Sequence, residues 1–148
     1  MSAEAERAAV VAEARSWIRT PWVHQADVKG AGVDCAMLLA RVYINVGLVP
    51  LFDPRPYPAD WYLHRSEERF LGVLLARSHQ VKKPEAGDVV MFRVGRCFSH
   101  GAIVTRADPL TIVHSFQPVG SVIEEEVARN KLLKIEIALY ASYWGEAP

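Results

Sequence analysis

The stretch Gly32-Val33-Asp34-Cys35-Ala36-Met37-Leu38-Leu39 sets a cysteine between a glycine-containing approach and a nearly unbroken apolar run. Asp34 is a good N-cap residue, Gly30 and Gly32 let the backbone turn tightly before it, and Gly47 supplies a C-cap. The spacing predicts a helix that begins at Cys35 and closes at Gly47. Between 36 and 46 only Arg41 and Asn45 are strongly polar, and a helix apolar almost all round is a buried central one. Cys35 then occupies the first turn, where unpaired backbone N–H groups and the positive end of the helix dipole favour a thiolate. That position reads as a nucleophile at a helix start, with a small buried core cysteine as the plainer alternative.

Working towards the N-terminus, residues 3–19 are rich in Ala, Glu and Arg, with Val10, Ala14, Trp17 and Ile18 at helical spacing and Pro21 just beyond. This predicts an amphipathic opening helix stopped at Thr20. Towards the C-terminus, Pro50, Pro54, Pro56 and Pro58 break the chain across 48–60 into an extended surface loop. Residues 60–79 mix aromatic and charged side chains and read as a short helix through about Ala76. After Pro84 the period changes. Four short β-rich runs, 88–94, 100–105, 110–115 and 121–125, are separated by Gly95, by Asp108-Pro109, and by the turn residues 118–120. A last run, 132–140, carries Leu133, Ile135, Ile137 and Leu139 in strict alternation and reads as a strand with one buried face. Helices first and strands second predict an α+β domain with an antiparallel sheet rather than alternating βαβ units.

At 148 residues the chain is one ordinary domain, 1–148, long enough to bury a core without disulfide or metal staples. Hydrophobic residues make up 51% and charged residues 23%, which excludes a largely disordered chain. Seventeen basic residues balance seventeen acidic ones, so no global charge draws it to nucleic acid or an anionic membrane. No apolar run approaches the roughly 20 residues that span a bilayer, and the opening lacks a basic stretch followed by an apolar one. The expectation is therefore no membrane insertion, no secretory leader and synthesis in the cytoplasm. Two cysteines, Cys35 and Cys97, do not make a disulfide framework, a single bridge between them being the minor alternative.

A thiolate nucleophile needs a base, and the base needs an orienting partner. His100 opens one predicted strand and His114 ends the next. In an antiparallel pair joined by a short turn these positions are neighbours, so His100 can take the Cys35 proton on one ring nitrogen while the other engages His114. Each histidine can instead be a partly buried strand residue satisfied by a carbonyl. A zinc site from Cys35, Cys97, His100 and His114 lacks the tight ligand pairs such sites carry, so no metal and no cofactor are expected. Cys97 falls in a turn and reads as a loop thiol, and His24, His64 and His79 read as loop or surface residues.

The ordered set Thr20-Pro21-Trp22, Gly32-Val33-Asp34-Cys35, Pro84-x-x-Gly87-Asp88-Val89-Val90, Ser99-His100-Gly101-Ala102-Ile103-Val104 and Ile112-Val113-His114-Ser115 resembles the NlpC-like family of papain-like cell-wall cysteine peptidases over about residues 5–140. The resemblance implies a papain-like fold with Cys35 as nucleophile, His100 as general base and His114 as the orienting third member. It also implies a substrate-binding set of Trp22, Asp34, Ala36, Ser99 and Gly101. Members cut peptidoglycan stem peptides through an acyl-enzyme, commonly between D-glutamate and the diamino acid. Residues 30–39, 47–50 and 57–61 look closest to the branch carried by tailed phages and prophages, which implies tail proteins as partners and action at the host cell wall. Trp22 stands where the family has Tyr, and Ala36 and Met37 stand where it has Ser and Gly. Trp22 keeps an aromatic wall without a hydroxyl, and Ala36 offers no side-chain hydrogen bond. Two further readings of the same residues are a structural tail-assembly module that binds through residues 50–70, and an acyltransferase or amidase.

Overall fold

The computed structural model of the chain describes residues 2–57, 72, 75–95 and 97–145. Helix α1, Ala3–Arg15, starts at Ser2, whose hydroxyl accepts from the Ala5 N–H, and carries Glu4 and Glu6 in its first turn and Arg15 in its last, charges that suit the helix dipole. A two-residue hairpin follows, β1 Asp27–Val28 with β2 Gly32–Val33, and leads into helix α2, Cys35–Asn45. The remaining strands are β3 His79–Val81, β4 Val89–Val94, β5 Cys97–Arg106, β6 Thr111–Phe116, β7 Ser121–Glu126 and β8 Ala138–Ser142. They form one antiparallel sheet in the order β3-β8-β4-β5-β6-β7. The domain is α+β, as the succession of helices and then strands predicts.

Side chains alternate across the sheet and divide the interior in two. On one face Val89, Met91, Ile103, Val113, Val122 and Ala141 pack against Met37, Leu38 and Val42 of α2 and Val10 and Ala14 of α1. On the other, Val90, Phe92, Ala102, Val104 and Ile112 pack beneath Val127 and Leu133. Gly47 ends α2 with φ +79, and the Leu48 N–H returns to the Tyr43 carbonyl. Arg7 ties α1 to the head of β4 through buried Asp88 at 2.9 Å.

Three expectations change. Helix α1 stops at Arg15 rather than near Thr20, because its end tightens: the Trp17 and Ile18 N–H groups reach back only three residues, to Ala14 and Arg15, and Arg19 turns to φ +79. Trp17 is nonetheless buried. The alternating run 132–140 is a strand only from Ala138 onward. Ahead of it Asn130 Oδ1 accepts the Leu132 and Leu133 N–H groups at 3.0 Å and bends the chain, so Leu133 is buried while Ile135 and Ile137 stand 77% and 63% exposed. Cys97 is no loop thiol; it is a buried residue of β5. The helix expected within 60–79 falls mostly outside the described residues, as do His64 and residues 58–70 of the aromatic stretch; Gly72 and Leu75 are helical.

Candidate active site

Cys35 is the first residue of α2 because Asp34 stops the extended chain there: its φ and ψ are −103° and −179°, and its Oδ1 accepts the Met37 N–H at 2.9 Å. That cap aims the start of the helix at one end of the sheet. The receiving end is irregular. Phe92 pairs with His100 and Arg93 with Phe98, so Ser99 is an extra residue in β5, a bulge of the kind that frees backbone groups and re-aims side chains. The freed Ser99 carbonyl accepts the Cys35 thiol at 3.6 Å, and the Gly101 N–H also lies against the sulfur. The thiol is thus held against the backbone on both sides of His100.

His100 and His114 project from the sheet face opposite the helices, among Phe92 and Phe116. The Ile103↔Val113 pairing of β5 with β6 sets them diagonally on that face. Their rings meet with His100 Nε2 2.8 Å from His114 Nδ1. His114, fully buried, has its Nε2 2.7 Å from Glu125 Oε2 on β7, and Asn130 Nδ2 donates to that same oxygen at 3.1 Å. Cysteine and histidines therefore approach from opposite faces and meet at the sheet end, around a cavity of about 570 Å³ lined by Cys35, Ser99, His100, Ser115 and Trp22, with Phe116, Leu133 and Ile135 as apolar walls.

Trp22 is placed at this cavity by its N–H to the Gly120 carbonyl at 2.8 Å. Ser99 lines it too, with its hydroxyl spent on the Val94 carbonyl at 2.9 Å. Ala36 is buried in the helix-side core instead. Asp34 is buried as well, and its Oδ2 accepts the Gln25 N–H at 2.8 Å and the Tyr57 hydroxyl at 2.6 Å. His24, expected as a bystander, packs edge-on against Tyr57 and stacks towards Trp22.

The electrostatics reverse one expectation. Burial, and then the Asp34 carboxylate, push the Cys35 thiol up to about 12, more than the N–H groups of Gly101, Ala36 and Cys35 offset. Burial pushes His100 well below the ordinary imidazole value, and His114 adds to the shift. The helix start does not deliver a standing thiolate; both groups rest neutral, because desolvation outweighs a few backbone dipoles here. Proton transfer from one to the other is then a step of reaction rather than a resting state.

Glu125, Asn130 and Tyr57 escape a sequence reading. Glu125 lies among three consecutive glutamates on an edge strand, a pattern that reads as a solvated face, and only the register of β7 on β6, His114↔Ile123, brings it beside His114.

No family model and no curated protein sequence matches the chain. Solved structures do. The NlpC/p60 domain of the peptidoglycan hydrolase SagA superposes with a TM-score of 0.60 at 23% identity, over 90% of this chain and 96% of that one. This chain has the NlpC/p60 fold. NlpC1 from Trichomonas vaginalis shares that fold at TM-score 0.67 and 10% identity, over 99% of this chain and 46% of its own. An N-acetylmuramoyl-L-alanine amidase from Bacteroides uniformis matches at 0.57 and 14%, over 93% and 98%. On the NlpC/p60 fold of this chain the cleft at the sheet end is where Cys35 and His100 converge.

Proposed function

We propose that this protein is a peptidoglycan hydrolase that cleaves an amide of the stem peptide with Cys35 as nucleophile, His100 as general base and His114 as the residue that orients His100. One observation carries the reading. The Cys35 thiol is fixed to the backbone flanking His100, inside one cavity, with His100 hydrogen-bonded to the fully buried His114. The fold neighbours described as a peptidoglycan hydrolase and a muramoyl-alanine amidase support the choice of substrate.

The chemistry follows from the neutral resting pair. As the sulfur attacks the amide carbon, its proton passes to His100, so charge develops only when substrate is present. The N–H groups of Cys35 and Ala36, which lie beside the sulfur at the helix start, are the donors this reading assigns to the carbonyl oxygen as it becomes an oxyanion. The C–N bond breaks, the departing amine takes the proton from His100, and a thioester on Cys35 remains. Water then gives its proton to His100 and attacks; the C–S bond breaks, and His100 returns the proton to the sulfur. The same steps serve a peptide bond within the stem or the amide that joins stem to sugar, and an amine in place of water gives acyl transfer. Sequence resemblance supports the finer reading of a tail-associated enzyme that meets the wall from outside.

Mass spectrometry of purified stem peptides and muropeptides incubated with wild type and with Cys35→Ala tests this. Cleavage by wild type alone, with a fixed mass loss that locates the bond, is the expected result. Equal product with Cys35→Ala, or none with wild type across several wall types, overturns it.

A further inference from the structure

We propose that Glu125, braced by Asn130, is a positioning residue of this site: it fixes which ring nitrogens of His114 and His100 carry hydrogen, and so leaves His100 Nδ1 as a bare lone pair facing its task as base. The inference rests on the cysteine-hydrolase reading and adds a residue that the sequence motifs do not supply.

Two neutral imidazoles in contact are ambiguous. A single N–H···N bond between His100 Nε2 and His114 Nδ1 can run in either direction. If His114 donates, His100 must carry its own hydrogen on Nδ1 and cannot accept a proton there. If His100 donates, Nδ1 is free. Something outside the pair has to choose, and a residue at the far end of the chain can do so.

Glu125 is placed to choose. Its carboxylate is held ionised, its pKa lowered by hydrogen bonds from His114 and Asn130 despite partial burial, and an ionised carboxylate only accepts. The hydrogen in the 2.7 Å contact therefore sits on His114 Nε2. With a single ring hydrogen on His114, its Nδ1 is then the acceptor and the 2.8 Å contact has His100 donate through Nε2; a His114 that carries hydrogen on both nitrogens overturns the proposal. Asn130 has no freedom to disturb this. Its Oδ1 is occupied by the N–H groups of Leu132 and Leu133 at 3.0 Å, so its NH₂ must be the group facing Glu125 at 3.1 Å. A backbone turn thus sets the amide, the amide holds the carboxylate, and the carboxylate sets both rings. The four residues come from β5, β6, β7 and the turn after Val127–Arg129, so the arrangement spans three neighbouring strands on one face. When His100 becomes an imidazolium, the Glu125 charge faces it through His114.

The test is the nitrogen NMR of ¹⁵N-histidine-labelled protein at neutral pH, where two-bond proton–nitrogen correlations assign each ring's tautomer. In wild type both His100 and His114 are expected to show Nε2–H with Nδ1 unprotonated; Nδ1–H on His100 overturns the proposal with no variant needed. In Glu125→Gln the two rings are expected to populate both tautomers. Turnover on stem peptides is expected to fall roughly ten- to a hundredfold in kcat with KM nearly constant, the scale seen when an outer partner of a functional histidine is removed, and Glu125→Asp is expected to recover part of it. Unchanged tautomers and kcat in a Glu125→Gln protein whose amide spectrum is otherwise native overturn the role. Wild-type tautomers as stated, together with no hydrolysis of any wall substrate, support the tautomer assignment and overturn the hydrolase reading instead.

Discussion

The Tyr57 hydroxyl donates to Asp34 Oδ2 at 2.6 Å, across 23 residues of chain, and so fastens the proline-rich loop to the residue that caps the cysteine helix. Burial and the adjacent Asp34 charge keep that hydroxyl protonated and donating. Tyr57→Phe removes one donor from a buried carboxylate, a change of about 1.5–3 kcal/mol for a hydrogen bond to a charged group. The expected drop in Tm is roughly 3–12 °C for a chain of this length. Thermal denaturation followed by circular dichroism measures it, and an unchanged Tm refutes the tether.

Alkylation reports the state of Cys35. With its thiol pushed up to about 12, the iodoacetamide rate is expected to stay low through neutral pH and to climb only above the ordinary thiol range, since the thiolate is the reacting form. Intact mass, with Cys35→Ala as control, follows the adduct. A rate already at its plateau below pH 7 reveals a standing thiolate–imidazolium pair and sinks the neutral-pair reading.

For hydrolysis the base must be unprotonated, and burial holds the His100 pKa well below the ordinary imidazole value of 6.5. The acid limb of kcat/KM is therefore expected below the usual imidazole range, with activity retained into mildly acidic solution. Stability has the same sign. The unfolded chain takes up a proton at His100 near pH 6.5 while the folded chain refuses it, so this residue destabilises the fold progressively as pH falls from there. A limb at or above pH 6.5 contradicts the burial of His100.

Gly87 gives a test remote from the cleft. It sits at φ +94, where a Cβ would stand 3.2 Å from Arg7 Cα and Trp144 Cη2, and its carbonyl accepts the Tyr43 hydroxyl at 2.6 Å. Gly87→Ala is expected to cost about 1–3 kcal/mol through backbone strain, read as a lower urea midpoint with Cys35 alkylation unchanged. A wild-type midpoint contradicts it.

Where the chain writes its structure locally, the sequence is a good guide. The Asp34 cap, the apolar run behind it and the Gly47 stop delimit α2 within a residue or two, and turn residues at Gly95, Asp108-Pro109 and 118–120 separate β4 to β7. The nearness of His100 and His114 follows from strand polarity. What escapes depends on distant partners. The alternation of Leu133, Ile135, Ile137 and Leu139 imitates a strand, yet Asn130 diverts the backbone before a ladder can form. Glu125 is one glutamate of three until β7 takes its register, and Tyr57 is one aromatic in a proline loop until Asp34 receives its hydroxyl. The thiol's electrostatics escape for a related reason: a cap and a dipole are visible in sequence, whereas the desolvation that outweighs them belongs to the packed whole.

Because the sulfur rides on the helical layer and the imidazoles stand on the far side of the sheet, nothing covalent or local keeps them in step. Among the described residues they are held in step by the seam at the Ser99 bulge and by the Ser115 hydroxyl on the Val33 carbonyl at 2.7 Å. A slip of a fraction of an ångström between layers there would part donor from acceptor while every helix and strand stayed intact, so on warming the protein should fall silent before it melts.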